Sequence, residues 1–84
     1  MKKRPEPAAN VPSGTIRTPE DLGAWVRRQR KASGKTLAEA AALTGVGIRF
    51  LHELERGKAT ASLGKTLTVL QRMGLVVEVH ERRR

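Results

Sequence analysis

Apolar residues recur at helical spacing in four stretches of this chain, and each stretch is bracketed by residues that start and stop helices. Thr18-Pro19-Glu20-Asp21 combines an N-capping hydroxyl, a proline at the first helical position and two acids at the positive end of the helix dipole. Behind it, Leu22, Trp25, Val26 and Gln29 fall at i, i+3, i+4 and i+7 and form an inward stripe, while Arg27, Arg28 and Lys31 face outward. Gly34 stops this first helix, predicted over about 19–33. Thr36 opens a second helix, and Glu39 three residues later completes a capping box. Ala38, Ala41 and Leu43 make that helix compact, and small side chains allow another helix to approach closely, before Gly45-Val46-Gly47 breaks the chain. A third helix is predicted over about 48–55: Leu51 and Leu54 point in, Phe50 lies at the edge, and Ile48, Arg49, His52, Glu53 and Arg56 face out. Gly57 closes it, and 58–61 is a short loop. Ser62 caps a fourth helix in which Leu63, Leu67, Leu70 and Met73 repeat at helical spacing, with Gly74 as its stop.

The next segment, Leu75-Val76-Val77-Glu78-Val79-His80, is β-branched and partly alternating, and it reads as one strand. A single strand cannot satisfy its own backbone donors and acceptors. The other copy of such a strand belongs to a second subunit, so the sequence predicts a homodimer. Two strands would pair antiparallel across a two-fold axis, with Leu75, Val77 and Val79 packed inward. The expected fold is therefore an all-α bundle of four main helices plus a C-terminal β-strand that pairs across a dimer. Residues 1–17 form a basic arm, 18–74 the helical domain, 75–80 the dimerisation strand and 81–84 a charged tail.

Length and charge sharpen this picture. With 84 residues the chain makes one small domain, and with no cysteine it lacks a disulfide staple, so self-association is the remaining source of stability. Seventeen Lys and Arg against eight Asp and Glu give a net charge of +9, which points to a polyanionic partner. One Trp, one Phe and no Tyr exclude an aromatic platform for stacking bases. No apolar run approaches the ~20 residues of a membrane span, and the basic start Met1 to Arg4 leads into Pro5-Glu6-Pro7, not into an apolar stretch. A cytoplasmic, nucleoid-associated protein with no membrane contact is expected. The prolines at 5, 7 and 12 and the cations Lys2, Lys3 and Arg4 read as a solvated arm, or as an arm that lies on phosphates.

Two short helices joined by a glycine-containing turn, after a longer helix, match a helix-turn-helix. Ala41 sits where only a small side chain fits, Gly45 four residues on takes a positive φ, Val46 plugs the turn, and Leu51 anchors the third helix. That helix would enter the major groove with its N-terminal residues on base edges. The segments Thr36-Leu37-Ala38-Glu39-Ala40-Ala41, Gly45-Val46-Gly47 and Leu51-His52-Glu53-Leu54-Glu55-Arg56-Gly57-Lys58 resemble those of the XRE/Cro-type helix-turn-helix repressors, whose fold is lambda-repressor-like. The extension from Ser62 to His80 is similar to that of HipB-type antitoxins, DNA-binding dimers encoded beside a HipA-type Ser/Thr kinase toxin.

The resemblance implies roles by position. Base reading falls on Gly47, where the family often has Ser or Thr, and on Ile48, Arg49, His52 and Glu53, with Phe50 nearby. Arg49 presents a fork suited to guanine O6 and N7. Glu53 either accepts from a cytosine amino group or orients Arg49, and Ile48 suits a thymine methyl. Phosphate contacts fall on Lys35, Thr36, Lys58 and Lys65. At Leu37 the family often has Gln, so only the backbone N–H at the helix start can serve there. Arg30 and Glu55 fall where the family has a structural ion pair locking the first helix to the third. The resemblance thus implies a repressor that binds a pseudo-palindromic operator in double-stranded DNA as a homodimer, represses its own operon and neutralises a HipA-type kinase. A stand-alone XRE regulator, or a protein-interaction module on the same fold, is the alternative.

Other chemistry finds no constellation. Gly64-Lys65-Thr66 resembles the end of a phosphate-binding loop, but Ala59 stands where the earlier glycine is required and no strand precedes it. His52-Glu53-Leu54-Glu55 lacks the second His of a zinc-protease motif, since position 56 is Arg. Ser13, Ser33 and Ser62 have no base partner at nucleophile-like spacing. The sequence therefore predicts no enzyme, no metal and no cofactor.

Overall fold

The computed structural model describes residues 12–82. Four helices follow in chain order: α1 (Pro19–Ala32), α2 (Leu37–Thr44), α3 (Ile48–Glu55) and α4 (Leu63–Arg72). None is long and apolar enough to cross a membrane.

The helix starts are built by the capping residues the sequence marks. Thr18 Oγ1 accepts from the Asp21 N–H at 3.0 Å, and Asp21 Oδ2 accepts in return from the Thr18 N–H at 3.2 Å and the Arg17 N–H at 2.9 Å. Thr36 and Glu39 make the same reciprocal pair at 3.1 and 2.9 Å, and Ser62 Oγ accepts from the Lys65 N–H at 3.2 Å. The Arg17 N–H beside Asp21, and the Thr36 N–H beside Glu39, hold both carboxyls below their ordinary range. A carboxyl with a lowered folded pKa adds stability above its unfolded pKa of ~4, and this is lost as pH falls through the folded value. Melting temperature should therefore fall below about pH 4, and less steeply in a variant carrying Asp21→Asn and Glu39→Gln, as thermal melts at stepped pH would show.

The core is a set of small and medium side chains: Val26 from α1, Ala40 and Ala41 from α2, Leu51 and Leu54 from α3, and Val69, Leu70 and Met73 from α4 and its end. Two alanines on α2 keep its axis close to the core, and Val46 packs into the turn beside them. Gly45 takes φ +75° at the end of α2, a conformation L side chains rarely adopt, and its N–H donates to the Ala41 carbonyl at 2.9 Å. Gly23 answers a different need. A Cβ on it would lie 2.4 Å from the Leu54 carbonyl oxygen and 2.6 Å from that of Glu55, so α1 presses directly on the last turn of α3. Gln29 adds a tie from α1 to the end of α4, its Nε2 donating to the Met73 carbonyl at 2.9 Å.

One expectation needs correction. The inward face of α4 is Thr66, Val69, Leu70 and Met73, whereas Leu63 and Leu67 are 71% and 45% exposed. Both stripes contain Leu70 and both repeat at helical spacing, so periodicity does not choose between them. The choice follows from packing: the shorter Thr66 and Val69 fit against the neighbouring helices, and the Thr66 hydroxyl donates to the Ser62 carbonyl at 2.6 Å. The segment 75–80, expected as a strand that pairs with a second subunit, is irregular in the single chain. Among the described residues there is no strand, and this segment carries no ladder. Leu75 is half-buried on its own subunit's core, its N–H donating to the Leu70 carbonyl at 2.8 Å, while Val77 and Val79 are exposed. A strand needs a partner, and the single chain supplies none. Of the arm expected over 1–17, residues 1–11 lie outside the described residues, while 12–17 are exposed and non-helical.

Candidate nucleic-acid interface

Helix α3 is eight residues long, and its burial pattern splits it cleanly. Leu51, Leu54 and Glu55 are buried. At ~100° per residue, Ile48, His52, Arg56, Arg49 and Glu53 occupy one continuous arc of about 140°. Ile48 is 52% exposed, and the Arg49 side chain is 91% exposed. Gly47 is the N-cap and offers no side chain to the first-turn N–H groups, leaving that helix end open to an outside acceptor.

A buried ion pair sets where this rod lies. Arg30 Nε is 2.7 Å from Glu55 Oε2, and Nη2 is 3.0 Å from Oε1, a two-point contact. The third guanidinium nitrogen, Nη1, donates to the Lys35 carbonyl at 2.9 Å. One side chain on α1 thus fixes both the end of α3 and the residue that precedes the Thr36 cap of α2. The start of α2 and the exposed arc of α3 take their relative position from it.

The flanks of α3 carry further cations. On one side Glu53 Oε1 is 3.1 Å from Lys58 Nζ, and Glu53 Oε2 is 3.6 Å from Arg49 Nε. The hydrogen bond from Lys58, and then the charges of Lys58 and Arg49, hold the Glu53 carboxyl below its ordinary range. Lys65 reaches across from α4, with Nζ 5.6 Å from the centre of the Phe50 ring. On the other side Leu37, His52, Arg27 and Arg56 line a cleft floored by Arg30 and Glu55. Leu37 is half-buried and packs on the core, so a ligand would meet the backbone of the α2 start at that point and not the side chain.

Arg49, His52, Glu53, Lys58 and Lys65, to which the resemblance assigns DNA contacts, lie on or beside α3. Sequence reasoning passed over Arg27 and Arg56 as merely outward-facing. The signal was present: Arg27 lies three residues before Arg30 on the same edge of α1, and Arg56 adjoins Glu55. Because Arg30 and Glu55 neutralise each other, the two outer arginines leave that cleft positive.

A helix-turn-helix domain family matches residues 21–83 of the chain. An uncharacterized HTH-type transcriptional regulator of Sinorhizobium fredii is 47% identical over 64 residues, which is 76% of this chain and 84% of that protein. Among solved structures, a complex of a HipB variant with an O2 20mer superposes with a TM-score of 0.76 at 21% identity, covering 86% of this chain and 100% of the other. A HipA–HipB–O2–O3 complex gives 0.75 at 20% identity, covering 84% and 100%. The likeness to HipB is one of fold. By its domain match, its relative and its architecture, the chain belongs to the XRE-type helix-turn-helix transcriptional regulators.

Proposed function

We propose that this regulator is a homodimeric repressor that reads an operator through α3. The observation that carries the reading is the arrangement around that helix: an exposed ridge with cations on both flanks. B-DNA offers a major groove between two sugar-phosphate ridges, so a rod that inserts needs neutral or base-matching groups on its crest and positive charge at both shoulders. The crest here is Gly47, Ile48, Arg49, His52 and Glu53. One shoulder is Lys58 with Lys65. The other is Lys35, Thr36 and the backbone of Leu37, extended by Arg27.

Arg49→Ala should cost about 1–3 kcal/mol on a selected operator and relax one base position. Fluorescence anisotropy on selected and mixed-sequence duplexes would measure this. Equal losses on both duplexes would reduce Arg49 to a phosphate clamp. With ~6–10 phosphate contacts per dimer, log K should fall against log salt with a slope of roughly −5 to −9.

The second subunit is supported by apolar surface that the single chain leaves open. Leu63, Leu67, Val76, Val77 and Val79 are all exposed. These side chains are open for a partner to cover. Pairing of 75–80 across a two-fold axis, through Leu75, Val77 and Val79, would cover some of them and supply the missing ladder. Truncation after Gly74 should therefore weaken dimerisation and operator binding together. An unchanged dimer on a sizing column would remove the strand from the account.

Within the repressor class the HipB-like fold, seen in a complex with HipA, supports an antitoxin that autoregulates its operon and neutralises a HipA-type kinase. Co-expression with a kinase-like product of the adjacent gene tests this: a co-purifying complex with reduced autophosphorylation supports it. An adjacent gene of another kind favours a stand-alone regulator.

A further inference from the structure

We propose that Glu53 is a positioning residue that makes Arg49 a base reader and keeps the interface from adhering to DNA of any sequence. The inference rests on the operator reading above and assigns the source of its selectivity.

Glu53 is the least exposed of three charged groups, with its side chain 33% accessible against 46% for Lys58 and 91% for Arg49. It is anchored twice to the loop after α3. Its carboxylate takes the Lys58 ammonium at 3.1 Å, and its backbone carbonyl accepts the Lys58 N–H, also at 3.1 Å. The carboxylate is therefore the fixed element and Arg49 the mobile one. What matters is which nitrogen of Arg49 it approaches: Nε, at 3.6 Å. A carboxylate on the Nε side leaves the terminal Nη1 and Nη2 pair free and pointing away, and that pair matches guanine O6 and N7. Arg49 can be held and can read at the same time.

The same carboxylate opposes indiscriminate binding. If Arg49 or Lys58 turns to a phosphate, Glu53 loses one of its two partners and faces like charge nearby. The free triad carries a net +1 instead of +2, so the phosphate attraction shared by all sequences is reduced. A base edge that takes the Arg49 fork end-on leaves the Nε contact in place, whereas a phosphate that draws the side chain sideways breaks it.

The test compares wild type, Glu53→Gln and Arg49→Ala with the double variant. Two probes are used: a duplex enriched by the wild type from a random 20-base-pair pool, and a mixed-sequence duplex of the same length. Glu53→Gln should bind the mixed duplex about 3–10-fold more tightly, with a salt slope steeper by roughly 0.9 from one added effective charge. Its preference for the selected duplex should fall on the order of tenfold, while melting temperature stays within a few degrees because the group is solvent-facing. In the Arg49→Ala background, Glu53→Gln should no longer change the preference. A preference unchanged by Glu53→Gln overturns the proposal. So does a switch of preference at a single base pair that persists without Arg49, since Glu53 would then read a base itself. If the wild type enriches no sequence at all, it is the operator reading that fails.

Discussion

Glu55→Ala should lower stability by about 3–5 kcal/mol, because it leaves the Arg30 guanidinium charged and buried without its two-point partner. For a domain of this size, each kcal/mol moves Tm by roughly 4–8 °C, so the variant should melt tens of degrees lower or fail to fold at growth temperature. Thermal melts followed by circular dichroism would measure the loss. A fall of only a few degrees would mean that water reaches the pair and that it locks nothing. The paired variant Arg30→Met with Glu55→Leu separates stability from positioning. Replacing a buried ion pair by apolar side chains of similar volume is often neutral or stabilising. The double variant should therefore refold, yet it abandons the Lys35 carbonyl, which Arg30 Nη1 now holds at 2.9 Å. The start of α2 would lose its reference to α3, and DNA affinity should fall although Tm recovers. A stable double variant with wild-type binding would show that the backbone alone sets that geometry.

The second large effect is one of sign. Glycine inside a helix normally costs roughly 0.5–1 kcal/mol relative to alanine, so propensity predicts that Gly23→Ala stabilises α1. The structure predicts the reverse. The new methyl would lie 2.4–2.8 Å from backbone atoms of Leu54 and Glu55, which no side-chain rotation can relieve. Helix α1 must lift from α3, and overpacking of this kind costs about 1–3 kcal/mol, occasionally more. Lifting α1 also strains the Arg30–Glu55 contact, which spans the same two helices, so the loss should exceed that of a surface clash. Gly64→Ala is the control: it lies in the first turn of α4 with nothing within 4 Å of its would-be Cβ. It should gain about 0.4–1 kcal/mol. Urea denaturation of the two variants side by side decides the matter, and a stabilised Gly23→Ala would sink the close-approach argument.

Much of this was readable before any coordinates. The reason is that helix ends are decided locally. A Thr or Ser hydroxyl reaches the N–H three residues on whatever the rest of the chain does, so Thr18, Thr36 and Ser62 mark helix starts from sequence alone. The outward arc of α3 was equally legible, because Leu51 and Leu54, three residues apart on one side of the helix, define its inward face and leave Arg49, His52 and Glu53 on the other. The Arg30 and Glu55 positions came from family resemblance, since no local rule joins residues 25 apart. Arg27 and Arg56 become legible only once Arg30 and Glu55 are paired: their spacing to those two residues is in the sequence, but the cleft they line is made by the contact between two helices.

The chain's own order of residues therefore settled where helices begin and end, which face of the third is wet, and that the molecule carries a large positive charge. Those properties depend on contacts within a turn or two and on total charge. Tertiary packing alone settled which leucines of α4 are buried, because two overlapping stripes share Leu70 and only the shape of the opposing helices discriminates between them. It alone gave Gly23 its necessity, because a missing Cβ matters only where another backbone arrives.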